Sequence, residues 1–298
     1  MSTWIDLCDP DEKTLRAALP PGVHDVTITR LLRPFPQDHE PRPRLEVRET
    51  YVFGVLAFPT VDGENVVNQE VDVVATPDRF VTVRKTPPGH AACSVDATRA
   101  TAQRTNASVG MCLYMLMDEI AEAFLNVVDG FDDAIDDLED HVTDLANADV
   151  RARISSTRHD ILHVRRILAP TRDAARAVLD DRVELQPETL FPRDVELHFA
   201  DAYDKLLRAT DGLDLSRDLL AGVRDFHQAE VANDQNEVMK RLTVVASMLL
   251  VPTFIVGLYG QNVRVPEYHW HYGYLFSWAL IVGTSIGQFM YFRHKKWI

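Results

Sequence analysis

Two long stretches without a single charged side chain, Leu242–Tyr259 and Tyr272–Phe292, close a chain that is otherwise dense in acids and bases. Each is long enough to cross a hydrocarbon core of about 30 Å as a helix. A hairpin buried in a soluble core is the other reading. Aromatic residues at the ends of the stretches (Tyr259, Trp270, Tyr272, Tyr274, Tyr291, Trp297) and bases outside them favour a membrane. Lys240 and Arg241 precede the first span, and Arg293, His294, Lys295 and Lys296 follow the second. The positive-inside rule then places both ends of the hairpin in the cytoplasm, with 260–271 as the external loop.

The remainder reads as soluble. The 298 residues are 26% charged with a net charge of −14, which argues against a nucleic-acid partner, since that needs a basic face, and suits divalent cations. Cys8, Cys93 and Cys112 are scattered, with no CxxC spacing, so no structural zinc site shows and a reducing cytosol fits. Met1–Asp6 lacks a basic stretch and an apolar run, so no signal peptide is expected.

Residues 1–115 read as an α/β domain. Val23–Leu31, Leu45–Phe58, Val66–Val74 and Phe80–Arg84 have the alternation and β-branched content of strands, and short helices are expected near Asp9–Ala18 and after Thr98. Nothing there is catalytic: no glycine-rich phosphate loop, no nucleophile–base pair, and His24, His39 and His90 stand isolated. Residues 116–190 read as a charged antiparallel helical hairpin. Ile120, Phe124, Val127, Phe131, Ile135, Leu138, Val142 and Leu145 form one apolar stripe, backed by Asp129, Asp132, Asp133, Asp136, Asp137, Glu139, Asp140 and Asp144. A turn is expected at Asn147–Asp149. The next helix, about Arg151–Val183, carries Ile154, Ile161, Val164, Leu168, Ala175 and Val178, with a surface rich in arginine. Folding back sets acid against base, each exposed pair giving only tenths of a kcal/mol. The acidic face reads first as half of that hairpin, and second as a cation-attracting surface.

A stalk helix is expected over 191–241, opening near Pro192 and running without a strong breaker into the first span, 242–259; the external loop 260–271, the second span 272–292 and a basic tail 293–298 follow. So long a helix needs neighbours, and a mostly soluble chain ending in two spans points to an oligomeric pore. Asn236, Met239, Thr243, Ala246, Leu250, Thr253, Gly257 and Gly260 share one helical face. Small and polar residues on one face serve close packing or line a pore. The second span is more uniformly apolar and suits lipid.

At these residues the chain resembles the CorA family of divalent-cation channels, the two-span Gly-Met-Asn type. Asn233–Lys240 followed by Leu242 and Thr243 resembles the family's entry to the pore helix. Tyr259-Gly260-Gln261-Asn262 stands where the family has Tyr-Gly-Met-Asn, and Val265-Pro266-Glu267 resembles its Met-Pro-Glu loop. Phe131–Glu139 resembles its acidic helix, Arg42–Glu46 with Tyr51–Phe53 its N-terminal domain, and Arg293–Ile298 its basic end. The resemblance implies a funnel-shaped homopentamer in the cell (plasma or inner) membrane, with an αβα cytoplasmic domain and both termini cytoplasmic. It implies passive transport of hydrated Mg²⁺, often with Co²⁺ and Ni²⁺, driven by membrane potential and gated by cytoplasmic divalent cations.

By position, the resemblance makes Gly260, Gln261 and Asn262 the selectivity filter, Asn236 and Thr253 polar rings of the pore, and Met239, Leu242 and Leu250 an apolar gate. Asp225 and Asp201 match carboxylates that hold regulatory Mg²⁺ between subunits. Each also suits a solvated stalk face. Two departures stand out: Gln261 replaces the middle Met, and the family's partner acids have no match in Leu31–Glu40 beyond Asp38 and Glu40. Glu267 in the external loop favours Mg²⁺, whereas Arg264, His269 and His271 keep a ZntB-like Zn²⁺ transporter open, imidazole being a good zinc ligand. A non-conducting membrane metal sensor or scaffold is a third reading, opposed by the polar face from Asn236 to Asn262. An enzyme has almost no support, since the acidic helix lacks Glu-x-x-His.

Overall fold

The computed structural model describes residues 3–35, 42–62, 65–183, 185, 190–261 and 270–297. The chain divides into two compact units, Met1–Arg224 and Asp225–Ile298.

The first unit is built on a five-stranded sheet of β1 (Thr3–Cys8), β2 (Arg44–Arg48), β3 (Tyr51–Asp62), β4 (Asn65–Ala75) and β5 (Arg79–Arg84), in the order β1-β5-β4-β3-β2. β1 runs parallel to β5 and the other pairings are antiparallel. Alternate residues point to opposite faces, and both faces are covered. Tyr51, Phe53, Val55, Val74, Val81 and Val83 meet Leu15 of α1 (Glu12–Ala18) and Ile28 and Leu31 of α2 (Asp25–Leu31). Val52, Leu56, Val71, Val73 and Phe80 face the larger core, with Ala102 of α3 (Asp96–Thr105) and Leu113, Leu116, Met117 and Ile120 of α4 (Val109–His141). The N-terminal part is thus the expected αβα sandwich.

Val23–Leu31, read as a strand, is instead α2. Its buried residues are Thr27, Ile28 and Leu31 while Val26 is 82% exposed, a helical spacing of three and four that the run of β-branched residues disguised. Leu45–Phe58 is two strands, parted at Glu49 and Thr50. β1 went unread because one short edge strand carries little pattern.

α4 and α5 (Asn147–Leu179) form the expected helical hairpin. α4 begins well before the acidic run, where Ser108 caps it by accepting from the Met111 amide at 3.3 Å. Asn147–Asp149, read as the turn, is the first turn of α5, so the chain reverses earlier. The apolar stripes are buried as read, from Ile120 to Val142 and from Ile154 to Val178. Charge complementarity is a minor part. Arg153 reaches Asp137 at 3.1 Å, but Arg165 pairs with Asp214 of the following helix and Arg176 with Asp180 of its own segment. These pairs are exposed and contribute little, so packing holds the hairpin.

α6 (Arg193–Tyr259) starts directly after Pro192, whose carbonyl accepts from the amides of Val195 and Glu196. In the first unit its Val195, Phe199, Ala202, Leu206, Ala209 and Leu213 join the core, and Lys205 reaches Asp118 and Glu122 of α4. Burial disfavours the Lys205 charge, but bonds to those two carboxylates more than offset that and hold the ammonium above its usual range.

Candidate ion pathway

In the second unit, the last part of α6 and α7 (Gly273–His294) are both long and apolar enough to cross a membrane. Neither is buried within the chain: Leu242, Leu249, Leu250, Phe254, Leu275, Trp278, Ile286 and Met290 are all exposed. Such a pair in water would present a large apolar surface, which lipid or further copies must cover.

The span of α6 has two distinct sides. Val244 and Ile255 are buried, Ser247 and Val251 are half-buried, and the Gln288 side-chain amide of α7 donates to the Ser247 carbonyl at 3.2 Å. This side faces α7. Asn236, Met239, Thr243, Ala246, Leu250, Thr253, Gly257 and Gly260 are all exposed. At about 100° per residue they centre on the side of α6 turned away from α7.

Two hydroxyls on this free face are bonded within the helix. Thr243 donates to the Met239 carbonyl at 2.8 Å and Thr253 to the Leu249 carbonyl at 2.7 Å. Each thereby uses its one proton and keeps oxygen lone pairs outward. A hydrated cation presents its waters' hydrogens, so an acceptor of this kind suits it.

α6 ends at Tyr259. Gly260 donates its amide to the Val256 carbonyl at 2.8 Å, and a Cβ there would meet that same oxygen at 3.1 Å, so the chain closes tightly on itself. The last carbonyls of α6 lie at its negative end, where a cation is favoured. Gln261 is exposed. Asn262 and Glu267, with Arg264 and His269, lie outside the described residues.

The expected regulatory carboxylates belong to different units. Asp201 is exposed in the first unit and Asp225 in the second. Among the described residues no group of three or more His, Cys, Asp or Glu is arranged to hold a metal. Asp38 and Glu40 lie outside the described residues. Gln288 escaped the sequence reading, which took the second span as the more uniformly apolar of the two. The signal was a lone amide amid Ile286, Gly287, Phe289 and Met290.

Comparison with known proteins agrees with this architecture. The family model described as "CorA-like Mg2+ transporter protein" matches residues 2–294. The cobalt/magnesium transport protein CorA of Thermotoga maritima is 27% identical over 93% of this chain and 77% of its own length. The solved CorA magnesium transporter of Methanocaldococcus jannaschii shares the fold at a TM-score of 0.80 and 20% identity, over 99% of this chain and 91% of that one. The ZntB cytoplasmic domain of Vibrio parahaemolyticus matches less closely, at a TM-score of 0.59 and 11% identity over 77% of this chain and 88% of that one. With a family match across nearly its whole length, two membrane-length helices and an αβα domain, the chain belongs to the CorA-like divalent metal transporters, a family of membrane transporters and not of enzymes.

Proposed function

We propose that this chain forms a homopentameric channel that passes hydrated Mg²⁺, with Co²⁺ and Ni²⁺ as related cargo, down the membrane potential. The observation that carries this reading is the free face of α6, which turns small and polar residues away from the second span. Five such faces around an axis enclose a pathway, and α7 is left toward lipid. Mg²⁺ surrenders its water reluctantly, so rings of acceptors rather than a dry cage suit it.

In this reading the Gly260 carbonyls, Gln261 and Asn262 receive the hydrated ion at the external mouth. Thr253 and Asn236 accept from its waters further along. Met239, Leu242 and Leu250 form apolar rings that close the pathway by excluding water. Asp225 and Asp201 take up cytoplasmic Mg²⁺ with residues of neighbouring subunits and favour the closed state. Both termini are cytoplasmic, from the bases flanking the spans.

Thiol accessibility tests the pathway. In a chain with Cys8, Cys93 and Cys112 replaced by Ala, Thr253→Cys or Ala246→Cys becomes blocked by a water-soluble thiol reagent, whereas Val244→Cys or Ile255→Cys stays active. Equal block on both sides of α6 removes the assignment of this face to the pore.

A further inference from the structure

Gln288 is the one side-chain amide in α7, and it is turned inward. Its Nε2 donates to the Ser247 carbonyl at 3.2 Å, joining the second span to the first. Its Oε1 is buried and has no hydrogen-bond partner among the described residues. In an apolar surrounding, that orphaned oxygen carries a cost that Leu or Met at the same place would not. Stability alone therefore gives no reason for an amide here.

The place where it binds supplies one. α6 contains Pro252, which has no N–H and so cannot donate to the Met248 carbonyl one turn earlier. The helix ladder is interrupted there, and such points are where helices bend. Ser247 is the residue just before the deprived carbonyl. Met239, Leu242 and Leu250 lie before Pro252 on the free face, and Thr253 and Gly257 after it. A bend at this level moves the apolar residues relative to the polar ones beyond. Ser247, immediately before the interruption, is bonded to α7, and Ile255, just after it, is buried on the same side.

We propose that Gln288 is a positioning residue: its bond to the Ser247 carbonyl fixes the segment before the Pro252 interruption against the second span and sets the resting position of the apolar constriction. The consequence for conduction rests on the channel reading above; the mechanical part does not.

The test uses the full chain in lipid nanodiscs and liposomes. Gln288→Met keeps the length and removes the donor. Gln288→Glu keeps the length and, as a neutral carboxyl, keeps one donor. Each is made alone and with Pro252→Ala. Hydrogen exchange of the amides over 248–256 is the first readout and basal Mg²⁺ flux the second. Gln288→Met should speed exchange about fivefold, the equivalent of the ~1 kcal/mol of one hydrogen bond, and raise basal flux. Gln288→Glu should stay near the parent. In the Pro252→Ala background the Gln288→Met effect should vanish, because the restored ladder no longer depends on the tie. Parental exchange in Gln288→Met, an undiminished effect with Pro252→Ala, or no rescue by Gln288→Glu overturns the proposal. Should Gln288→Met fail to assemble, the ratio of exchange in Gln288→Glu to exchange in the parent at the same pH must rise with pH as its carboxyl loses the donor, and a ratio that does not change with pH overturns it too. A parent without Mg²⁺ flux would count against the channel reading, while the exchange readout still decides the role of Gln288.

Discussion

The proposed filter turns on one difference from the family's pattern, Gln261 in place of Met. If backbone carbonyls and the Asn262 side chain receive the ion's waters, the middle residue is support. Gln261→Met then leaves Mg²⁺ uptake largely intact, while Asn262→Ala abolishes it, because a whole ring of contacts worth on the order of 1 kcal/mol each is lost. Uptake measured for the parent and both variants decides this, and a change of preferred ion in Gln261→Met would shift weight to the zinc reading. At the proposed gate, Leu242 is 59% exposed within one chain. Leu242→Asn should wet that ring and raise basal flux severalfold. Parental flux in a normally assembled variant would remove Leu242 from the constriction.

At the scale of elements, α4 passes so close to the segment before α6 that a Cβ on Gly110 would lie 2.0 Å from the Leu190 carbonyl oxygen. Backbone cannot yield as a side chain does, so Gly110→Ala should cost about 1–3 kcal/mol by overpacking, read as a lowered unfolding temperature with no change in ion preference. The sheet holds a second test. Asp72 and Glu70 of β4 are buried beside Lys85, the residue just after β5, whose ammonium lies 2.7 Å from Asp72 and also contacts Glu70, with Arg30 of α2 as the remaining charge acting on Asp72. Burial pushes the Asp72 carboxyl up to about 6, against the lowering effect of Lys85. The folded state thus holds a proton that the unfolded chain releases near pH 4, so this group's contribution to stability falls as pH rises from about 4 to 6 and is level above. Asp72→Asn, which cannot ionise, should flatten that part of the curve; thermal unfolding of parent and variant across this range is the check. Such elements differed in how plainly the sequence announced them. The spans, the α4 and α5 stripes and β4 were legible because burial imposes a regular period on their residues, whereas β2 and β3 were read as one strand. α2 was misread because two turns of helix rich in Val, Thr and Ile imitate a strand. The buried Glu70–Asp72–Lys85 group was invisible, since only strand pairing brings β4 and β5 together. The free face of α6 could be read from spacing, but the partner of Gln288 could not, because it depends on how two spans meet.

At the scale of the whole molecule, the exposed apolar spans need lipid or further copies to cover them, and the proposed pore face encloses a pathway only in an oligomer. Mass measurement in detergent should give five copies, and a stable monomer would remove the architecture. Asp225→Ala should blunt inhibition by internal Mg²⁺ modestly, since the acids expected opposite it are missing from their usual place; unchanged sensitivity would leave Asp225 as a solvated stalk residue. The central claim, passive passage of Mg²⁺ driven by voltage, is tested most directly by ion-by-ion flux into proteoliposomes under an imposed negative-inside potential. The account predicts Mg²⁺ entry that grows with the potential, persists without a proton gradient and is shared by Co²⁺ and Ni²⁺. Zn²⁺ entry that requires a proton gradient, with no Mg²⁺ entry at any potential, would contradict it.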